Sequence, residues 1–106
     1  MSAAHTPGPW EALPEEADKP YIRIRGIRVG ARYKIANVLA VSYDGALPRE
    51  ADETQANARL ITAAPKLLAG AKRALRVLQG LGHTSQHSNV LEQLEAVIAE
   101  ATGVTA

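Results

Sequence analysis

His83 and His87 stand four residues apart, the interval at which two imidazoles on one helical turn can grip a metal ion. Their segment, His83-Thr-Ser-Gln-His-Ser88, is rich in small polar residues and reads as a loop. The third histidine, His5, is remote in sequence and no neighbouring carboxylate completes a ligand set, so no metal and no cofactor are expected. A Ser-His-Asp arrangement can be written from Ser42, His83 and Asp44, but nothing in the spacing fixes its geometry. The chain has no nucleophile elbow, no phosphate-cradling glycine loop and no Cys, which excludes thiolate catalysis, disulfides and Cys-ligated zinc. The expectation is a binding protein, not an enzyme.

Charge carries a stronger signal than nucleophiles do. The net charge is only +1, yet it is arranged in blocks. Glu11, Glu15, Glu16 and Asp18 precede a cationic stretch holding Lys19, Arg23, Arg25, Arg28, Arg32, Lys34 and Arg49 against the single acid Asp44. Glu50, Asp52 and Glu53 follow, then Arg59, Lys66, Lys72, Arg73 and Arg76, and finally Glu92, Glu95 and Glu100. Five of the cations, Arg23, Arg25, Arg28, Arg32 and Lys34, fall on one predicted hairpin. Guanidinium groups there suit bidentate contacts to phosphates or to an acidic protein surface. The competing reading is a solvated face that protects sheet edges, neutralised by the acids of residues 11–18. Nucleic acid is disfavoured, because the chain is near neutral and offers only Tyr21 and Tyr33 for stacking beside the cations.

The elements that must position these residues follow from hydrophobic periodicity. Residues 1–20 form an extended lead-in, where His5-Thr-Pro-Gly-Pro-Trp10 is too rich in Pro and Gly for a helix and Trp10 anchors the core. Residues 21–43 alternate as a β-hairpin: Ile22 and Ile24 face inward, Tyr21, Arg23 and Arg25 outward. Ile27 and Val29 continue the apolar face with opposite parity, which places a β-bulge at Gly26. Tyr33, Ile35, Leu39 and Val41 form the inward row of the second strand, leaving Arg32 and Lys34 outward.

Beyond Asp44-Gly45 and Pro48, acids at 50, 52 and 53 suit a helix N-terminus, and a helix is expected over 51–79. Its stripe of Leu60, Ile61, Ala64, Leu67, Leu68, Ala71, Leu75 and Leu78 keeps phase through Pro65, which kinks or restarts it. Asn57 falls on that stripe, where a buried amide would tie the helix to the Pro-Gly-Pro-Trp segment or serve a pocket; Arg59 falls on the opposite face. Asn89 and Glu92 resemble a capping box for a second helix over 89–102, with Val90, Leu91, Leu94, Val97, Ile98 and Ala101 inward and Gly103 closing it.

At 106 residues the chain fits one domain with a modest core. With no Phe and a single Trp, that core rests on Leu, Ile, Val and Ala, so a homo-oligomer is expected to complete it. No apolar run reaches membrane-spanning length and no signal-peptide pattern opens the chain, so a cytoplasmic protein is expected.

His-Thr-Pro-Gly-Pro-Trp at 5–10, followed by Asn57-Ala-Arg-Leu-Ile-Thr-Ala-Ala-Pro-Lys-Leu-Leu68, resembles small bacteriophage and prophage proteins of unknown function in which HTPGPW precedes NARLIAAAPDLL. The resemblance covers about a third of the chain; Thr62 replaces an Ala and Lys66 the usual acid. It implies a phage accessory protein, a category that includes inhibitors of host defence, and implies no reaction. The expected architecture is α+β: a two- or three-stranded antiparallel sheet packed against two antiparallel helices. The expected partner is a host protein or, alternatively, a phosphorylated small molecule such as a nucleotide signal held by the hairpin arginines.

Overall fold

The computed structural model describes residues 4–16, 18–27, 32–39, 48–81 and 85–104, leaving undescribed the side chains of 48–51 and 85–87 within its helices. The elements run β1 (Trp10–Ala12), β2 (Tyr21–Gly26), β3 (Tyr33–Leu39), α1 (Pro48–Thr62), α2 (Ala64–Gly80) and α3 (Ser85–Thr102). The class is α+β with an antiparallel sheet, in the order β1-β2-β3. The third strand comes from the lead-in: Trp10 pairs Gly26, Glu11 pairs Arg25 and Ala12 pairs Ile24. The chain divides into two compact units, Thr6–Pro65 and Met1–His5 with Lys66–Ala106.

The first unit is the sheet with α1 across one face. Alternation along β2 buries Ile22, Ile24 and Gly26 and leaves Tyr21, Arg23 and Arg25 half-buried on the other side. Ile24 is fully buried, and Ile22, Val38 and Ala58 complete a cluster against which Trp10, Ile35, Ala36 and Ile61 pack. Helix α1 borders all three strands. It offers them Thr54 and Ala58, one turn apart and both buried, so small side chains let the helix lie close to the sheet.

The bulge lies in β3, not at Gly26. Ile24 pairs Ala36 while Arg25 pairs Lys34, so Ile35 is the extra residue. One inserted residue reverses the parity of everything after it. Tyr33 starts on the inward side at the sheet's end and is 41% exposed; beyond Ile35 the inward residues are Ala36 and Val38, and Leu39 is 73% exposed. The expected row of Tyr33, Ile35 and Leu39 is thereby corrected to Ile35, Ala36 and Val38. Val29, Val41, Gly30-Ala31 and Asp44-Gly45 lie outside the described residues.

Helix α1 starts at Pro48, three residues earlier than expected, and proline suits a first helical position because no intrahelical partner awaits its missing N–H. The break expected near Pro65 falls at Ala63, between α1 and α2. Asn57, expected on the buried stripe, is exposed: burial at Thr54, Ala58 and Ile61 sets the inner face about 100° away, one residue further on.

In the second unit, α2 has no buried residue, and Leu68, Ala71, Leu75 and Leu78 are half-buried. Helix α3 starts at Ser85, so Asn89 is a helical residue rather than a cap and His87 stands in the first turn instead of a loop. Leu91 is buried, with Leu94 and Ile98 partly so, while Val90, Val97 and Ala101, expected inward, are exposed. Gly103 closes α3 in the left-handed region at φ 75, which a glycine adopts without a Cβ penalty.

Candidate functional site on the outer face of the sheet

The sheet face away from α1 collects the cationic side chains. Register places Glu11, Arg25 and Lys34 in one row across β1, β2 and β3, with Arg23 beside Asn37 in the next and Tyr21 beside Leu39 beyond it. Antiparallel pairing alone brings the cations of β2 and β3 to one side, as the alternation expects.

The cations differ in their engagement. Arg23 donates from Nη2 to Glu16 Oε1 at 2.6 Å, and Lys19 Nζ reaches Glu16 Oε2 at the same distance. The acidic lead-in therefore neutralises part of this face, through one residue. The Lys19 hydrogen bond, with Arg23 nearby, holds the Glu16 carboxyl below the ordinary carboxylate range. Arg25 is tied to the strands themselves: Nη1 donates to the carbonyls of Ile24 at 2.9 Å and Ala36 at 3.1 Å, and both Nη atoms reach Asn37 Oδ1 at 3.3 Å. Ile24 and Ala36 flank the bulge, so the guanidinium ties the two strands together where the ladder is irregular.

Arg32 and Lys34 remain exposed, and among the described residues no ion pair holds either of them. They bracket exposed Tyr33 at the start of β3, an edge strand of the sheet. Arg28 lies outside the described residues. Asn57 and Arg59 are exposed on α1. Sequence patterning missed Glu16 as the shared acceptor, since it lies seven residues from Arg23 in an irregular segment, and missed Asn37, whose role depends on the bulge.

Trp10 occupies its anchoring position: it packs on the core cluster, and its indole Nε1 donates to the Thr6 carbonyl at 3.1 Å. Pro65 lies at the head of α2. Ser42, His83 and Asp44 are outside the described residues, and among the described residues no group of His, Asp and Glu could hold a metal. The second unit contains an open groove of about 630 Å³, lined by Lys72 and Leu75 of α2, Glu95, Ile98 and Thr102 of α3, and His5. No helix of the described residues is long and apolar enough to cross a membrane.

The sheet, its cationic edge and the groove identify no reaction by themselves. No curated protein and no solved structure matches the chain. A family model does, over residues 1–105: the chain belongs to the bacteriophage family described as Salmonella phage P22 protein Y8K6.

Proposed function

We propose that this is a non-enzymatic phage accessory protein that binds and inhibits a host protein in the cytoplasm of the infected bacterium. The observation that carries the reading is the run Arg32, Tyr33 and Lys34, exposed together at the start of an edge strand. An edge strand offers unpaired backbone groups to an added strand, and two cations flanking an aromatic ring select an acidic partner surface. Membership in a phage family supports a role during infection.

The alternative is capture of a phosphorylated small molecule by the hairpin arginines. Such a site needs several guanidinium groups converging on one ligand, whereas Arg23 faces Glu16 and Arg25 serves the strand carbonyls. Nucleic acid is the third reading and would require binding that collapses with salt.

The test uses the immobilised full chain in host lysate, alongside a thermal-shift screen with nucleotides. The expected result is capture of one host protein, lost in the double variant Arg32→Glu, Lys34→Glu, with inhibition of that protein once purified and no nucleotide response. A nucleotide that raises the melting temperature in the wild type but not in the variant overturns the protein-target reading in favour of sequestration.

A further inference from the structure

Helix α2 carries a second apolar stripe, exposed among the described residues. Leu67, Gly70, Ala74, Val77 and Leu81 recur at alternating intervals of three and four, the a/d spacing of a helix that packs against another. Leu67 is 55% exposed, Val77 58% and Leu81 66%, and Ala74 is exposed with them. A Cβ built at Gly70 meets nothing within 4 Å. This stripe lies roughly 100° round the helix from the half-buried Leu68, Ala71, Leu75 and Leu78. Small Gly70 and Ala74 at its centre suit close approach of another helix.

Helix α3 repeats the pattern. Val90, Leu94, Val97 and Ala101 follow each other at four, three and four, with Val90 and Val97 exposed, again roughly 100° round from buried Leu91 and its neighbour Ile98. Four residues connect Gly80 to Ser85, a length that returns one helix antiparallel to the other. For an antiparallel pair the two outer stripes fall on the same side, while Lys72 and Glu95 fall on the opposite side, where both line the groove. In such a pair the two stripes would form one apolar layer with a charged reverse, half of a four-helix arrangement.

We propose that this layer docks on its counterpart in a second copy of the chain, α2 of each against α3 of the other. Charge selects both the occupant and the pairing. Every charged residue of α2 is a cation (Lys66, Lys72, Arg73, Arg76) and every charged residue of α3 is an acid (Glu92, Glu95, Glu100). Lys66 and Arg73 border the outer stripe of α2 and Glu100 borders that of α3. Stacking α2 on the α2 of the second copy would set Lys66 and Arg73 against themselves; stacking it on α3 sets them beside Glu100. The dimer draws on neither Arg32 nor Lys34, so it is tested independently of the proposed host-binding residues.

The test is the mass of the full chain in solution by light scattering, with circular dichroism to verify folding. The wild type should be a dimer. Val77→Lys with Leu81→Lys, both at exposed positions, should halve the mass and retain the helical spectrum. Lys66→Glu with Arg73→Glu should also give monomer, and adding Glu100→Lys should restore the dimer. A monomeric wild type overturns the proposal and leaves the stripe to a partner of another kind. An unchanged mass in the Val77 and Leu81 variant, or no rescue by Glu100→Lys, overturns it equally. Loss of host-protein capture with the dimer intact would instead count only against the edge of β3.

Discussion

Gly8 lies flat against Pro65: a Cβ built on Gly8 would stand 3.2 Å from Pro65 Cβ and 3.6 Å from its Cγ. The Pro-Gly-Pro-Trp lead-in thus closes onto Pro65, and the same segment supplies Trp10 to the core and the Pro9 carbonyl as acceptor for Ile27 N at 3.1 Å. Two stretches more than fifty residues apart in sequence approach closely where Gly8 has no Cβ. Gly8 is exposed, so Gly8→Val should lower stability by less than the roughly 1–3 kcal/mol of overpacking inside a closed core. Urea denaturation checks this; a midpoint equal to wild type would show that the contact yields freely.

Ile24 and Leu39 make a sharper pair for stability. Ile24 is fully enclosed, whereas Leu39 is 73% exposed three positions past the bulge-shifted Ala36. Ile24→Ala should cost about 2–5 kcal/mol and Leu39→Ala less than about 0.5 kcal/mol. Comparable losses at both sites would argue for the unbulged register, in which Leu39 faces α1.

That contrast shows where the sequence could be read. Ile22 and Ile24 alternate with Tyr21, Arg23 and Arg25 without interruption, so β2 and its outward cations were legible. The helical stripe was legible in part: Ile61, Leu68, Ala71, Leu75 and Leu78 are half-buried, whereas Leu60 and Leu67, expected with them, are exposed; Gly103 marked the end of α3. What failed was register. A bulge is a property of two paired strands, and a parity change visible at Gly26 does not reveal that Ile35 opposite is the inserted residue. Asn57 failed for a related reason: with Leu, Ile and Ala on much of the helix surface, periodicity alone did not show that Thr54 and Ala58 face the sheet. The engagement of Arg23 and Arg25 was legible only as a charge balance, because the partners Glu16 and Asn37 are fixed by tertiary geometry.

Arg25 and Lys34 face each other across β2 and β3, yet their substitutions should read out differently. Arg25→Ala removes donors from the Ile24 and Ala36 carbonyls at the bulge and should lower stability by about 1 kcal/mol, the net worth of a typical internal hydrogen bond. Lys34→Ala should leave stability unchanged and weaken binding of the proposed host partner. Paired denaturation and binding measurements on the two variants separate a clamp from a contact. A stability loss in Lys34→Ala, or none in Arg25→Ala, would reverse those roles.

Glu16 links the lead-in to β2 and gives the fold a pH signature. Lys19 and Arg23 lower its carboxyl pKa in the folded chain relative to the unfolded one, so folding favours the ionised form. The sign follows directly: the contribution is present above the ordinary carboxylate range near pH 4.3 and is lost as pH falls through the lower folded value. Wild type should therefore melt higher than Glu16→Gln at neutral pH, with the two converging as the solution is acidified below about pH 4. Because the group is solvent-accessible, the gap should be small and should shrink with added salt. Melting curves of both proteins across that range decide it: a gap that persists at low pH would mean that Glu16 acts through packing, and no gap at neutral pH would mean that Lys19 and Arg23 are equally well served by water.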